Sequence, residues 1–244
     1  MVSELRLGDI SVDVVLKDIK NVHLSVYPPT GRVRIAAPSS MSLETIRLFA
    51  ISRLGWIKRQ QRKQRAQERE TPREYIERES HYLWGRRYLL RVVEGAARAY
   101  VVIDHRHIEL GVRAEADAAK PQAVLDSWYR EELRSAASEL IEKWQERLGV
   151  EVERFFIQRM KTKWGGSSPA RRTIRLNLEL AKKDPECLDY VVLHEMAHFL
   201  VPNHSEGFVA LLDQHMPNWR DVRKHLNDLP LPADASEDNI QERV

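Results

Sequence analysis

Residues 189–208 read DYVVLHEMAHFLVPNHSEGF. The run is apolar enough for a core helix, yet it carries His194, Glu195 and His198, with His204 just past Pro202. Helical positions four apart lie on one face, so His194 and His198 point the same way. Two imidazoles so placed suit one zinc ion at about 2.0–2.1 Å each. Glu195 is turned by about 100° from His194, within reach of a water on that ion but not of the ion itself. A catalytic zinc site takes a third protein ligand and keeps one position open. His204 is the natural third, because Pro202 and Asn203 let the chain turn back toward the helix. Glu206 is the rival, but it falls in the first turn of the next helix, where the dipole favours a carboxylate without any metal. His204 is preferred.

The chemistry this pattern implies is hydrolytic. A zinc ion lowers the pKa of a bound water from 15.7 toward about 7, and Glu195 then takes its proton as general base. The ion also polarises a carbonyl under attack and shares the oxyanion charge. His215 and Tyr190 are candidates for a second oxyanion donor, by proximity in the chain alone. Core histidines that merely satisfy each other do not explain the cluster, since burying so many unpaired polar groups is costly. Cys187, near the start of the same helix, reads as a buried, inert thiol rather than a reactive one.

Composition sets the bounds. The chain has 244 residues, 43% hydrophobic and 31% charged, enough for one large domain or two small ones. No signal-peptide pattern and no membrane-length apolar run is present, and Cys187 is the single cysteine, so a cytoplasmic protein without an internal disulfide is expected. The net charge of +3 is unevenly spread. Arg53 to Arg73 holds eight basic residues against Glu68 and Glu70, whereas 229–244 is acidic.

Outward from the motif, the pattern is α+β. SVDVVLKDI, NVHLSVY and GRVRIAAP alternate as strands, and from Ser42, a plausible N-cap, apolar residues recur at helical spacing. This helix is expected to span about 42–71, its far half strongly basic, with Pro72 ending it. YLWGRRYLLRVV, RAYVVID and HIELGV return to strand pattern. A long amphipathic helix opens at Pro121 and closes at Gly149. VEVERFFIQRM and RTIRLNLEL follow as strands joined by a Gly- and Ser-containing segment, and then comes the motif helix, capped by Asp184 and Pro185. Pro202 ends that helix and Ser205 caps the next. The expected organisation is a β-rich N-terminal subdomain over 1–118, a catalytic domain over 119–228, and a loose acidic tail over 229–244.

KTKWGGSSPARRTIRLNLELAKKDPECLDYVVLHEMAHFLVPNHSEGF resembles the YgjP-like family of zinc metallopeptidases, which is distantly similar to SprT-like proteases. The likeness rests on Trp164-Gly165, IRLN at 174–177, DYVVLHE and NHS before an aromatic. It also takes in the PSSMS start of the first helix and GWIKRQ at its far end. It implies a zincin-like domain with His194, His198 and His204 on one Zn2+ ion and Glu195 as base. It further implies that TIRLN is an edge strand that pairs with an extended polypeptide substrate. Alternation would then turn Arg175 and Asn177 to one side, as possible substrate contacts. The family's Trp-Gly segment usually continues with Ser and Cys; here Gly166 and Ser167 follow, so no thiol is available at that point.

A peptidase is therefore the leading expectation. One alternative is a nucleotide phosphoanhydride hydrolase (nucleoside triphosphate pyrophosphatase) on the same site, with Arg159, Lys161 and Lys163 alternating to hold phosphates. Another is a nucleic-acid-associated protease recruited through Arg53–Arg73.

Overall fold

A computed structural model describes residues 2–27, 31–66, 74–113, 119–160 and 163–229. Lys161, the Pro72 end of the basic helix and the acidic tail lie outside these residues. The described chain is mixed α+β and falls into two compact units, residues 2–66 and 74–229.

The first unit pairs β1 (Val2–Leu7), β2 (Ile10–Lys17), β3 (His23–Tyr27) and β4 (Arg32–Pro38) in the order β1-β2-β4-β3. The β1–β2 and β3–β4 pairs are antiparallel, and β2 and β4 run parallel. Alternation puts Val12, Val14, Val33 and Ile35 on a fully buried face that receives Ile46, Ala50 and Ile57. The single helix expected over 42–71 is two, α1 (Leu43–Ser52) and α2 (Leu54–Ala66). Ser42 caps α1 as expected, its Oγ accepting from Thr45 N at 3.2 Å. Arg53 closes α1, and Gly55, a poor helix former, follows at once in α2. Lys58, Arg59 and Arg62 on α2 are exposed, and Lys58 lies 3.6 Å from Asp9.

The second unit contains two sheets. β5 (Ser80–Leu83), β6 (Arg86–Glu94), β7 (Tyr100–Ile103) and β8 (His107–Val112) are ordered β5-β6-β8-β7. The other sheet holds β9 (Arg154–Gln158), β10 (Gly165–Ser168) and β11 (Thr173–Asn177). A long helix, α3 (Ala119–Leu148), packs against both the first of these sheets and the motif helix. The expected boundary at 118/119 does not separate compact units. Leu83, Leu90, Ile108 and Leu110 share one core with Leu125, Tyr129 and Leu133 of α3 and with the residues of the motif helix. Tyr129 Oη also donates to Tyr82 O at 2.8 Å. Which strands share a core is a matter of packing, which composition along the chain does not register.

The motif helix is α4 (Pro185–Ala197), followed by α5 (Glu206–His215) and α6 (Trp219–Asp228). α4 is buried almost all round, so its few polar side chains need partners. Asp189 has two on α3, accepting from Trp144 Nε1 at 2.6 Å and Lys143 Nζ at 2.7 Å. Such charge-assisted bonds contribute about 1.5–3 kcal/mol each and fix α4 against α3. Asp184 and Ser205 stand at the N-cap positions but make no side-chain cap bond. The Asp184 carboxylate instead meets His225 Nε2 of α6 at 2.8 Å.

Candidate active site

His194 and Glu195 occupy the last turn of α4, and His198 is its C-cap, still in right-handed helical conformation. Beyond it the chain tightens: Leu200 N and Val201 N both donate to Ala197 O. Pro202 forbids continuation, and the turn brings His204 back over the helix. The three histidines each offer one ring nitrogen, all within 4.8 Å of one another. His194 Nε2 and His204 Nε2 face each other at 3.1 Å.

Outer partners decide which nitrogen points inward. His198 Nδ1 lies 3.2 Å from Val201 O, which accepts its hydrogen and leaves Nε2 with a lone pair. Tyr190 Oη lies 3.4 Å from His194 Nδ1, a long contact in which the hydroxyl can donate or accept. Burial, and then the neighbouring His198 and His204 rings, push the His194 imidazole down to about 3, so it is a neutral donor. Burial likewise lowers His204. Phe208 of α5 closes the floor, its centroid 4.7–5.0 Å from all three imidazoles. Glu206, the rival third ligand, is exposed in the first turn of α5 and is not one of the converging group.

Glu195 lies against β10. It is 7% exposed, and burial pushes its carboxyl up to about 7, against the hydrogen bond from Ser167 and the charge of Lys163. Gly165 of β10 lies directly on this carboxylate. A Cβ there would come within 2.7 Å of Glu195 Oε1 and 2.8 Å of Val191 Cγ1, closer than real side chains tolerate. Gly165→Ala is therefore expected to displace the Glu195 carboxylate and lower kcat by about 10²-fold while leaving bound metal in place. Steady-state kinetics beside metal analysis checks this, and a variant at the native rate would show that β10 does not constrain Glu195.

Several sequence expectations are corrected here. The segment expected only to join two strands is itself a strand, β10, and the sheet runs β10-β11-β9. TIRLN is thus the central strand, antiparallel to β10 and parallel to β9, and has no edge to offer a substrate. The strand expected over RTIRLNLEL stops at Asn177 and gives way to a 3-10 turn, Leu178–Lys182, because Asn177 Oδ1 accepts from Glu179 N at 3.2 Å. Asn177 is 3% exposed and bonded to backbone, so it is not a substrate contact. Arg175 is half-buried on β11, in register with Gly166 and Phe156.

The proposed phosphate-binding face is not formed as expected either. β9 ends at Gln158, so Arg159 and Lys163 lie beyond it, and Lys161 is outside the described residues. Arg159 is committed to Asp126 at 2.7 Å and Glu179 at 3.3 Å. Of the two expected oxyanion donors, Tyr190 touches the outer nitrogen of His194, and His215 packs edge-on against Trp144 at 5.9 Å. Cys187 is fully buried and pushed up to about 11 by that burial, which makes it an unreactive thiol. Ser167 is the site residue that sequence reasoning missed. Nothing in a GGSS tetrapeptide singles out one serine until β10 is laid over α4.

A group of three converging imidazoles beside a buried carboxylate is the donor set of a metallohydrolase. The model of the YgjP-like metallopeptidase domain matches residues 20–229, and the chain belongs to that family. Among solved structures it is similar to the metallopeptidase zymogen abylysin of Pyrococcus abyssi, with 21% identity over 37% of this chain and 90% of that one, at a TM-score of 0.35. It is also similar to the metallopeptidase zymogen jannalysin of Methanocaldococcus jannaschii, with 25% identity over 37% of this chain and 92% of that one, at a TM-score of 0.34. No curated protein matches it. No described helix is long and apolar enough to cross a membrane.

Proposed function

We propose that the chain is a zinc-dependent peptidase in which His194, His198 and His204 hold the ion and Glu195 is the general base. The observation that carries this reading is the approach of His194 Nε2 and His204 Nε2 to 3.1 Å with His198 beside them. Two nitrogens about 2.0–2.1 Å from a tetrahedral ion stand roughly 3.3–3.4 Å apart, so the His194 and His204 pair fits zinc almost as it lies, with the nitrogen of His198 within 4.8 Å of both. The outer nitrogens of His194 and His198 meet Tyr190 and Val201, the kind of support that orients metal-holding imidazoles.

When bound, zinc supplies Lewis acidity toward a water and a scissile carbonyl. The remaining work belongs to the protein. Glu195 accepts the proton of the attacking water and returns it to the amine as the peptide bond breaks. Ser167 and Lys163 favour its carboxylate form, and Gly165 leaves room for it. Phe208 and the apolar body of α4 partly bury His194 and His198. β10 takes over the role expected of TIRLN. Among the described residues it pairs with β11 on one side only, so its other edge has backbone groups available to an extended polypeptide running past Glu195. With Arg159 in ion pairs, a phosphate-binding role has no comparable support.

The test is zinc-loaded protein incubated with an unfolded polypeptide and, separately, with nucleoside triphosphates. Cleavage of the polypeptide is expected, abolished by a chelator and restored by zinc, with no nucleotide turnover. Turnover of nucleotides alone would replace this reading with that of a phosphohydrolase.

A further inference from the structure

We propose that Asn177 is a positioning residue of the active site, whose side-chain amide clasps the chain at Met160 and Lys163 and thereby sets how β10 lies against Glu195. The proposal rests on the reading of Glu195 as the base.

An asparagine side chain has two N–H donors and an oxygen with two lone pairs. At Asn177 all of them are engaged. Nδ2 donates to Met160 O and to Lys163 O, each at 2.8 Å. Oδ1 accepts from Glu179 N at 3.2 Å and from Met160 N at 3.4 Å. The backbone N–H of the same residue donates to Trp164 O at 2.9 Å. One residue at the end of β11 thus holds the chain on both sides of residues 161–162 and the residue that leads into β10. Arg159, paired with Asp126 and Glu179, anchors the same chain just upstream.

The consequence lies two residues further on, because β10 has little room to move. Gly165 already lies against the Glu195 carboxylate, so a shift toward α4 meets it. A shift away takes Ser167 out of hydrogen-bond range of Glu195. The metal-holding histidines are on α4 and the turn after it, and none is on the clasped chain. Loss of the clasp is therefore expected to slow the reaction without releasing metal. In Asn177→Asp a carboxylate oxygen faces two carbonyl oxygens, and in Asn177→Ser the remaining hydroxyl reaches one at most.

The experiment measures kcat, KM and zinc content, on an unfolded labelled protein, for Asn177→Asp, Asn177→Ser, Ser167→Ala and the Asn177→Ser/Ser167→Ala double variant. Expected are a kcat lower by about 10- to 100-fold in the Asn177 variants, the range typical of outer-sphere partners, with KM and zinc content close to native. The double variant is expected to lose no more than the worse single one, since both act through the placement of Glu195. A purely structural asparagine would not show that coupling. Native kcat, rate losses that multiply in the double variant, loss of zinc, or failure of both Asn177 variants to fold would each overturn the proposal. Glu195→Gln, measured alongside, separates the two readings. If it is active, the assignment of the base fails; if it is dead while the Asn177 variants run at the native rate, only the clasp fails.

Discussion

Glu195→Gln should remove the base while keeping its shape, with kcat on an unfolded polypeptide falling by about 10²–10⁴-fold and zinc still bound. Glutamine has the volume of glutamate, so the close approach of Gly165 and the contact with Val191 remain. It can also still accept the hydrogen bond from Ser167. What it lacks is a basic oxygen. The native side chain sits in a poor environment for charge, since burial pushes it up to about 7, and only Ser167 and Lys163 pull it back. A dication bound nearby would favour the carboxylate further. Kinetics and metal analysis on one preparation decide the point. Retained activity would move the base elsewhere, and lost zinc would make Glu195 a ligand.

His204→Ala should release the metal. The site would keep only His194 and His198, and zinc affinity should weaken by well over about 10²-fold, more than the loss of an outer partner costs. The fold itself has little at stake, because His204 is exposed and, among the described residues, its ring contacts are with His194, His198 and Phe208. Thermal unfolding separates the two effects. Without zinc, variant and native protein should melt together. With zinc at about 100 times its Kd, the native protein gains about 2.7 kcal/mol by linkage, and the variant does not. Glu206→Ala is the companion experiment. It should bind zinc as the native chain does, and the opposite pattern would make Glu206 the third ligand.

The histidine cluster is legible because it is local. His194 and His198 are one helical turn apart, and His204 follows after a proline that stops the helix. Helical periodicity and one forced turn are enough to bring the three nitrogens together, as they are in the structure. The long helix closing at Gly149 and the Ser42 cap follow from equally local signals, and both are present.

The surroundings of Glu195 are not local. TIRLN alternates as an edge strand would, but alternation describes the two faces of a strand and says nothing of who lies beside it. The neighbour is GGSS, too short and too glycine-rich to announce a strand, yet it forms the sheet edge and brings Gly165 and Ser167 to Glu195. Asn177 and Arg159 read as available polar groups until backbone carbonyls and the carboxylates of Asp126 and Glu179 are found to engage them. By itself, then, the sequence brought His194, His198 and His204 within reach of one another, because they lie within a turn or two along the chain, and it indicated the α+β class, because strand and helix periods follow one another along it. Only the tertiary structure decided the order of the strands, the partition of the core and the surroundings of the base, because hydrogen bonding between strands and burial depend on segments far apart in the chain.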